Sequence, residues 1–474
     1  MTKNTLRAFL AVGALAVGSS VAMGCVADRP SRNGVFNESQ YLRKAFLVQA
    51  PDATTPDPGW FMKATIISTS TPNPYAELNL FTGAEGTQFV RFGVTSDTVE
   101  MLNMRELSAG YPDQATRTPE VLNAWAATNV DIKYRVNLDG EKTNFLEENQ
   151  ELDWQQRQYV KLNFGKNSIN DLAALGGQAT AVINRCADAA NAFSTLVPDS
   201  FRVDEASNYM QWTVQLTLPF ATVADPSCTY GVQATDLANK LPRQATVLNV
   251  LYSFTRANPL PAAGSPGAYV PLEIAEKDPI RRKYGTIDTY AIARDLTTGL
   301  VGARQLANRF DPAKPLVYYF APGYPEQYKA MFTDPNGIVD QTNALFADAK
   351  AAIRLSVKNF DADMVRPDGA ADCDPAAMPA PCTPAGGLPG GMSCLKDSKG
   401  GSNFCGYARS FGDVRYNFIR WEDDIDTGSP FIGVTQFVPD PRTGELISSS
   451  INIANFQLAD RVTARLDFYL ESIG

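Results

Sequence analysis

The feature that most restricts the fold of this chain is a series of short runs of β-branched and aromatic residues separated by turn signals. Clear examples are NYMQWTVQLTLPF, ATVLNVLYSFTRA and the two runs on either side of Leu138-Asp139-Gly140. Asp-Gly between two such runs is a strong hairpin signal. The chain from 59 to 260 is therefore predicted to form a β-rich domain built from antiparallel sheet.

The remainder of the chain mixes strand patterns with a helical one. Leu316–Phe320 predicts a short buried strand, and apolar residues then recur at helical spacing at Val339, Phe346, Ala349 and Ile353. Strand patterns return after a loop rich in Cys, Pro and Gly at 361–411. We therefore predict an α+β fold, with the β-rich domain followed by a connecting region at 261–310 and an α+β domain at 311–474.

Histidine is absent from all 474 residues. Because imidazole is the commonest general base near neutral pH and the commonest zinc ligand, Ser-His-Asp systems, Cys-His systems and His-based metal sites are excluded. The formal net charge is -9, and Lys and Arg are not clustered. We therefore expect no nucleic-acid partner. Because His-based metal sites are excluded, we also expect no cofactor in this chain.

The N-terminus has the layout of a bacterial secretory signal peptide. Lys3 and Arg7 precede an apolar run from 8 to 23, and Gly24 and Cys25 follow it. The last four residues of this stretch, AMGC, resemble the lipobox of bacterial lipoproteins. We predict a signal peptide at 1–24, a diacylated Cys25 and a lipidated tether at 25–58, which anchors the protein to a membrane without spanning it. Val26 after the Cys favours the outer membrane; the alternative is an ordinary signal peptide.

Six further cysteines are expected to form disulfides, because their number is even and the predicted compartment is oxidising. They are Cys186, Cys228, Cys373, Cys382, Cys394 and Cys405. The first two lie apart from the others and are predicted to pair with each other. The connectivity of the remaining four stays open. Zinc binding by these four is the weaker alternative, because they lack the close C-x2-C pairs of zinc ribbons.

Several segments resemble, in order, a family of large bacterial zinc metallopeptidases of metzincin type, many of them lipoproteins. They are KPLVYYFAPGYPEQY, TNALF, GDVRYNFIRW and DPRTGELISSSINI. Upstream, VRFGVTSDTVEM and DPIRRKYGTIDT resemble the β-rich region that precedes the peptidase domain. The resemblance implies the first half of the catalytic domain. It departs at Thr342, where the family usually has Trp.

Zinc is the cofactor that the resemblance implies, held by an H-E-x-x-H helix that this sequence does not contain. The resemblance also implies that the strand at 446–455 forms the sheet edge above the substrate cleft. An edge strand has unpaired backbone groups that can bind an extended peptide. The candidate peptide-binding residues are Leu446, Ser448, Ser450 and Asn452. The alternative is an ordinary strand covered by the apolar stripe of the segment at 456–474.

Three functions remain open from the sequence. The first is a lipid-anchored envelope protein, not proteolytic, that binds peptides or envelope proteins. The second is a truncated form of an active zinc metallopeptidase, for which the genome after the codon for Gly474 would encode H-E-x-x-H. The third is a structural surface lipoprotein. All three include a membrane anchor, and none predicts an oligomeric state.

Overall fold

The computed structural model describes a set of separate ranges of the chain. They are 41–48, 57–70, 82–104, 120–149, 151–169, 193–198, 200–205, 207–219, 245–260, 265–274, 279, 287–294, 301–360, 364, 366, 372–374, 393–398, 400–406, 409–422 and 433–455. The segments predicted as signal peptide and as C-terminal apolar stripe lie outside these ranges.

The chain forms two compact units, one of residues 1–37 and 129–159 and the other of 38–128 and 160–474. The first unit contains an antiparallel hairpin between the end of β5 (Val121–Val136) and β6 (Lys142–Asn149). At its turn, Asn137 Oδ1 accepts the backbone N–H groups of Asp139, at 3.0 Å, and Glu141, at 2.8 Å. Gly140 takes the positive φ of 82° that the turn requires. The predicted hairpin is confirmed.

The second unit contains most of a large sheet. Its further strands are β1 (Leu42–Arg43), β2 (Trp60–Thr69), β3 (Glu85–Val94), β4 (Thr98–Asn103), β7 (Tyr159–Ile169), β8 (Phe193–Leu196), β9 (Arg202–Asp204), β10 (Tyr209–Leu218) and β11 (Thr246–Arg256). The described strands follow the order β1-β7-β5-β4-β3-β2-β11-β10-β8, with β6 paired to β5 and β9 to β10. Neighbours from β4 through β3, β2 and β11 to β10 pair antiparallel, as the alternating patterns predict.

An aromatic core lies on one face of this sheet. The Trp212 ring centroid is 4.7 Å from Phe254 and 5.6 Å from Trp125, and all three side chains are fully buried. Leu42 and Leu47 belong to the same core, Leu47 within the short helix α1 (Lys44–Leu47). This part of the predicted tether therefore belongs to the folded core, because its apolar side chains pack against the sheet.

The predicted connecting region also contains regular structure. β12 (Asp288–Arg294) and β13 (Val301–Ala307) pair antiparallel along their full length. After them the chain reaches a second, five-stranded sheet.

The second sheet combines strands and helices. Its elements are β14 (Leu316–Phe320), α2 (Glu326–Thr333), α3 (Ile338–Asp348), β15 (Leu355–Asn359), β18 (Asn417–Glu422), β19 (Gly433–Pro439) and β20 (Leu446–Ala454), and the short pair β16 (Ser393–Leu395) and β17 (Phe404–Gly406) lies in the loop before β18. The strand order is β15-β14-β18-β20-β19, with β19 antiparallel to β20 and the other pairs parallel. The α+β class is confirmed in coarse form, as a β-rich chain with little helix.

Helix α3 connects the parallel strands β14 and β15. The Asn343 side chain donates to the Leu355 carbonyl at 2.9 Å and accepts the Leu355 N–H at 2.8 Å, so it fixes the start of β15 against the helix. The predicted helix is shorter than its pattern, because it ends at Asp348 and so excludes Ala349 and Ile353.

The prediction that 446–455 forms the sheet edge is wrong. β20 is hydrogen-bonded to β18 on one side and to β19 on the other. The chain reverses at Asp440–Gly444, where Asp440 and Glu445 are joined by a 2.8 Å backbone hydrogen bond, and this turn lays the preceding strand along β20. Among the described strands, β19 is the one at that end of the sheet.

A disulfide joins Cys373 to Cys394, with the two Cα atoms 5.7 Å apart, so the prediction of disulfides in this loop is confirmed. Cys405 is also disulfide-bonded. Cys25, Cys186, Cys228 and Cys382 lie outside the described residues, and the pairing of Cys186 with Cys228 stays a prediction. Within the described ranges, no helix has the length and apolar character needed to cross a lipid bilayer.

Candidate functional site

The polar face of β20 is buried between the two sheets. Ser448, Ser450 and Asn452 are at most 2% exposed. Ser450 Oγ donates to Glu85 Oε1 at 2.7 Å, and Asn452 Nδ2 donates to the Gly83 carbonyl at 3.3 Å. Gly83 has a φ of 96°, and a Cβ there would lie 2.4 Å from Asn452 Oδ1, so glycine is required. Ser450 and Asn452 therefore join the sheets, and all three side chains are too buried for a peptide to reach.

An ion pair between Lys63 and Glu85 lies in the same layer. Lys63 Nζ is 3.4 Å from Glu85 Oε1, and both side chains are fully buried. The ammonium group is also 5.6 Å from the centroid of the Phe418 ring. A lone charge buried here would cost much free energy. The ion pair, the hydrogen bond from Ser450 to Glu85 and the Phe418 ring beside Lys63 together offset that cost. Both residues belong to the large sheet, and the pair contacts the second sheet through Ser450 and Phe418.

Two Asp-x-Arg motifs lie in the turns before two neighbouring parallel strands. Asp413–Arg415 precedes β18 and Asp440–Arg442 precedes β20. In each motif the Asp Oδ1 accepts the backbone N–H of the Arg, at 2.9 Å and 2.8 Å respectively. In each, the carboxylate also accepts from Nε and Nη2 of the guanidinium, at 3.1 and 2.7 Å in the first and 2.9 and 2.8 Å in the second. Each turn therefore holds its arginine in one orientation.

Both arginines stack on aromatic rings of the large sheet. The guanidinium carbon of Arg415 is 3.6 Å from the Tyr209 ring centroid, and that of Arg442 is 5.1 Å from Phe89. Burial alone would lower the pKa of Arg415, but the charge and hydrogen bonds of Asp413 raise it above its ordinary value. Arg415 therefore stays charged while it is packed against an aromatic ring.

A third ion group lies at the start of β14. Lys314 Nζ is 3.2 Å from Asp311 Oδ2 and 2.8 Å from Glu445 Oε1. Burial would lower the pKa of Lys314, but these two carboxylates raise it. Because strands β14, β18 and β20 are parallel, their N-terminal ends meet at one end of the sheet, and each begins with a paired cation.

A cleft of about 630 Å³ lies at these strand ends, which is within the range of roughly 300–1,000 Å³ typical of small-molecule sites. We call it the inter-sheet cleft. Its lining includes Phe61, Pro259, Leu260, Pro266, Tyr269, Phe310, Asp311, Lys314, Tyr319, Arg415, Tyr416, Asp440, Arg442, Glu445, Leu446 and Ile447. The Tyr319 and Tyr416 rings meet edge to face at 5.7 Å. The cleft therefore combines aromatic surface with fixed ion pairs.

Of the predicted peptide-binding residues, only Leu446 lines this cleft. The sequence interpretation missed Arg415 and Arg442, although both lie within the quoted segments GDVRYNFIRW and DPRTGELI. The repeated Asp-x-Arg just before a strand is the signal that would have identified them. Tyr319 is buried in β14, and it also forms part of the cleft wall.

The residues present do not fit a catalytic zinc ion. The chain has no histidine, and within the described ranges no group of three Cys, Asp or Glu side chains is close enough to share a metal ion. No family model, curated protein or solved structure matches this chain. Among the described residues, the inter-sheet cleft is therefore the candidate site.

The buried hydroxyl of Tyr209 is expected to make the stability of the fold change with pH in the alkaline range. Burial raises the pKa of Tyr209 well above its usual value of 10.0, and Asp413 raises it further, whereas Arg415 opposes the shift. Above about pH 10 the unfolded chain loses this proton and the folded chain keeps it, so the stabilisation present at lower pH decreases as pH rises. We expect the free energy of unfolding to fall above pH 10, as urea titrations at increasing pH would measure.

The substitution Tyr209→Phe tests the cause of this fall. It removes the titrating hydroxyl, so the decrease between pH 9 and pH 11 should become shallower than in the unchanged protein. A smaller decrease should remain, because burial also raises the pKa of Tyr324 to about 12. The control is Tyr134→Phe at a tyrosine that is 52% exposed. Equal slopes for Tyr209→Phe and the unchanged protein would contradict the prediction.

Proposed function

We propose that this chain is an exported, lipid-anchored protein of the cell envelope that binds a small ligand in the inter-sheet cleft and does not hydrolyse peptide bonds. The observation that carries the proposal is the cleft of about 630 Å³ with aromatic walls and fixed ion pairs. Concave sites that combine aromatic side chains with oriented polar groups are typical of ligand binding.

The polar groups of the cleft are held in place before any ligand arrives. Arg415 and Arg442 each form a bidentate bond with their own aspartate, and Arg442 Nη1 also donates to the Asn258 carbonyl at 3.1 Å. Because little side-chain entropy remains to be lost, a ligand that fits these groups binds at a low ordering cost. This rigidity supports binding as the function of the site.

The proposed ancestry is a zinc metallopeptidase of metzincin type that has no zinc site in this chain. Support comes from the segments quoted above, which follow one another in the order that the resemblance implies. The absence of histidine from the sequence supports the loss of peptidase activity. Zinc therefore has no part in the proposed function.

A second candidate is peptide binding at β19. Among the described strands, β19 is paired on one side only, so backbone groups on its other side can pair with an extended peptide. This proposal moves the predicted peptide site from β20 to the adjacent strand. A peptide at β19 would bind to backbone groups, whereas a ligand in the cleft would bind to side chains.

Ligand-observed NMR on the protein without residues 1–24 tests cleft binding. The probe is a mixture of neutral sugars, organic acids and amidated dipeptides, with saturation transferred from the protein to whichever probe binds. We expect transfer to at least one class of probe, decreased by Tyr416→Ala because that side chain lines the cleft. Tyr134→Ala, at an exposed residue outside the lining, is the control. No transfer to any probe, or equal transfer with Tyr416→Ala, would refute the proposal.

The lipid anchor has a separate test. Cells that express the full chain are grown with radiolabelled palmitate, and we expect the protein to be labelled and recovered with the membrane fraction. Cys25→Ala should lose the label and the membrane association, because the acylated thiol is removed. Cys186→Ala should keep both, since this cysteine lies outside the signal sequence. An unlabelled wild-type protein would instead indicate an ordinary signal peptide.

A further inference from the structure

We propose that the ligand of the inter-sheet cleft is a neutral saccharide, a disaccharide or the end of a longer neutral glycan. This inference rests on the proposed function, because it names the ligand class of the same cleft. It depends on three properties of the lining: its charge balance, its mixture of aromatic and planar polar groups, and its position at strand ends.

The charge balance favours a ligand without net charge. The Lys and Arg residues in the lining are Lys314, Arg415 and Arg442. Each is already bonded to one or more carboxylates, at 2.7–2.8 Å for its shortest contact. An anionic ligand would have to compete with these carboxylates, and a cationic ligand would have to compete with the basic side chains. A neutral ligand leaves every pair intact.

The ion pairs still offer hydrogen bonds to such a ligand. Arg442 uses Nε and Nη2 for Asp440 and Nη1 for Asn258, yet a guanidinium has more N–H donors than these three bonds need. The carboxylate of Asp440 likewise has more lone pairs than it uses here. A donor and an acceptor therefore lie side by side in one plane. Two neighbouring hydroxyl groups of a sugar, each both donor and acceptor, match that arrangement.

Aromatic side chains provide the complementary apolar surface. Tyr416 and Tyr269 are half-buried in the cleft wall. A pyranose ring has an apolar face of C–H groups and a rim of hydroxyls, so it can pack on a tyrosine while its rim reaches polar groups. Leu260, which is 50% exposed at the lining, adds apolar contact.

The position of the cleft argues against an extended peptide. Peptides that add to a sheet pair with the backbone along an edge strand. The inter-sheet cleft lies instead at the N-terminal ends of β14, β18 and β20, which are internal strands of the described sheet. Its polar groups are mainly paired side chains, so they favour a ligand with many hydroxyl groups over one with a regular backbone.

Isothermal titration calorimetry on the protein without residues 1–24 tests the ligand class. The neutral probes are cellobiose, maltose, lactose and N,N′-diacetylchitobiose; the anionic probe is digalacturonic acid, and the peptide probe is amidated Ala-Pro-Tyr. We expect at least one neutral disaccharide to bind, and digalacturonic acid to bind at least tenfold more weakly. Tyr416→Ala should weaken the neutral disaccharide at least tenfold. Tyr134→Ala should leave its affinity unchanged.

Leu260→Arg is a second variant, at a position that is 50% exposed. Cooperative thermal melting of this variant distinguishes a loss of binding from a folding defect. It places bulk and an unpaired charge at the cleft, so it should also weaken the neutral disaccharide. If the acid or the peptide binds in a manner sensitive to Leu260→Arg and the neutral sugars do not, the saccharide class is refuted and cleft binding stands. If no probe binds, or if neither variant changes binding, the saccharide class and cleft binding are both refuted.

Discussion

Lys63→Met is expected to lower the free energy of unfolding by about 3–5 kcal/mol. The substitution leaves the fully buried Glu85 carboxylate without its cation. Ser450 then remains as its hydrogen-bond donor. Methionine fills a similar volume, so the loss should come from the unpaired charge rather than from a cavity. Urea unfolding at neutral pH measures it. The expected effect is large because both members of the pair are shielded from solvent.

The double substitution Lys63→Met with Glu85→Leu separates charge from packing. Replacing a complete buried pair by apolar residues is often neutral or stabilising, so this variant should recover most of the stability lost in Lys63→Met. The matched control is Lys133→Met, whose partner Glu151 has a side chain that is 77% exposed, and it should cost no more than about 1 kcal/mol. A loss in Lys63→Met no larger than in this control would mean that the pair is hydrated.

Asp413→Ala is the second substitution with a large expected effect. The Asp413 side chain is 1% exposed and accepts the backbone N–H, Nε and Nη2 of Arg415. Its removal leaves a largely buried guanidinium against the Tyr209 ring without a counter-charge, so the free energy of unfolding should fall by about 3–5 kcal/mol. Asp139→Ala, at an exposed hairpin turn, should change it by no more than about 0.5 kcal/mol.

The same variant has a spectroscopic readout. Asp413 is one cause of the raised pKa of Tyr209, so its removal should move that pKa down towards 10.0, although burial keeps it raised. Ultraviolet absorbance follows tyrosine ionisation directly, and Tyr209→Phe identifies which part of the titration belongs to this residue. An unchanged tyrosine titration in a folded Asp413→Ala protein would show that the two groups do not interact.

Local patterns predicted the strands well, because alternation and turn residues act within a few positions. The hairpin at Leu138-Asp139-Gly140 and the strand at Leu316–Phe320 are examples. The partner strands of β20 could not be predicted in the same way. The run GVTQFVP before the turn is short, and nothing within it specifies that it returns along 446–454 rather than beside another strand.

The polar face of β20 was misinterpreted for a related reason. Serines alternating with isoleucines indicate one polar face, and a polar face usually lies towards water or a ligand. Here Ser450 faces Glu85, which is 365 positions away in the sequence, and Glu85 in turn faces Lys63. Only the folded chain brings these groups together. The Asp-x-Arg turns, by contrast, are complete within three residues and were visible in the sequence.

The length of the turn from Asp440 to Gly444 also sets the register of β20. Side chains on a strand alternate between faces, so one inserted or deleted residue in this turn would exchange the two faces. Ile451 would then lie against the Lys63–Glu85 pair in place of Ser450, and the serines would move to the face that packs with Tyr318 and Tyr324. Substitutions along β20 are local changes, whereas a change in the length of this turn would alter the whole contact between the sheets.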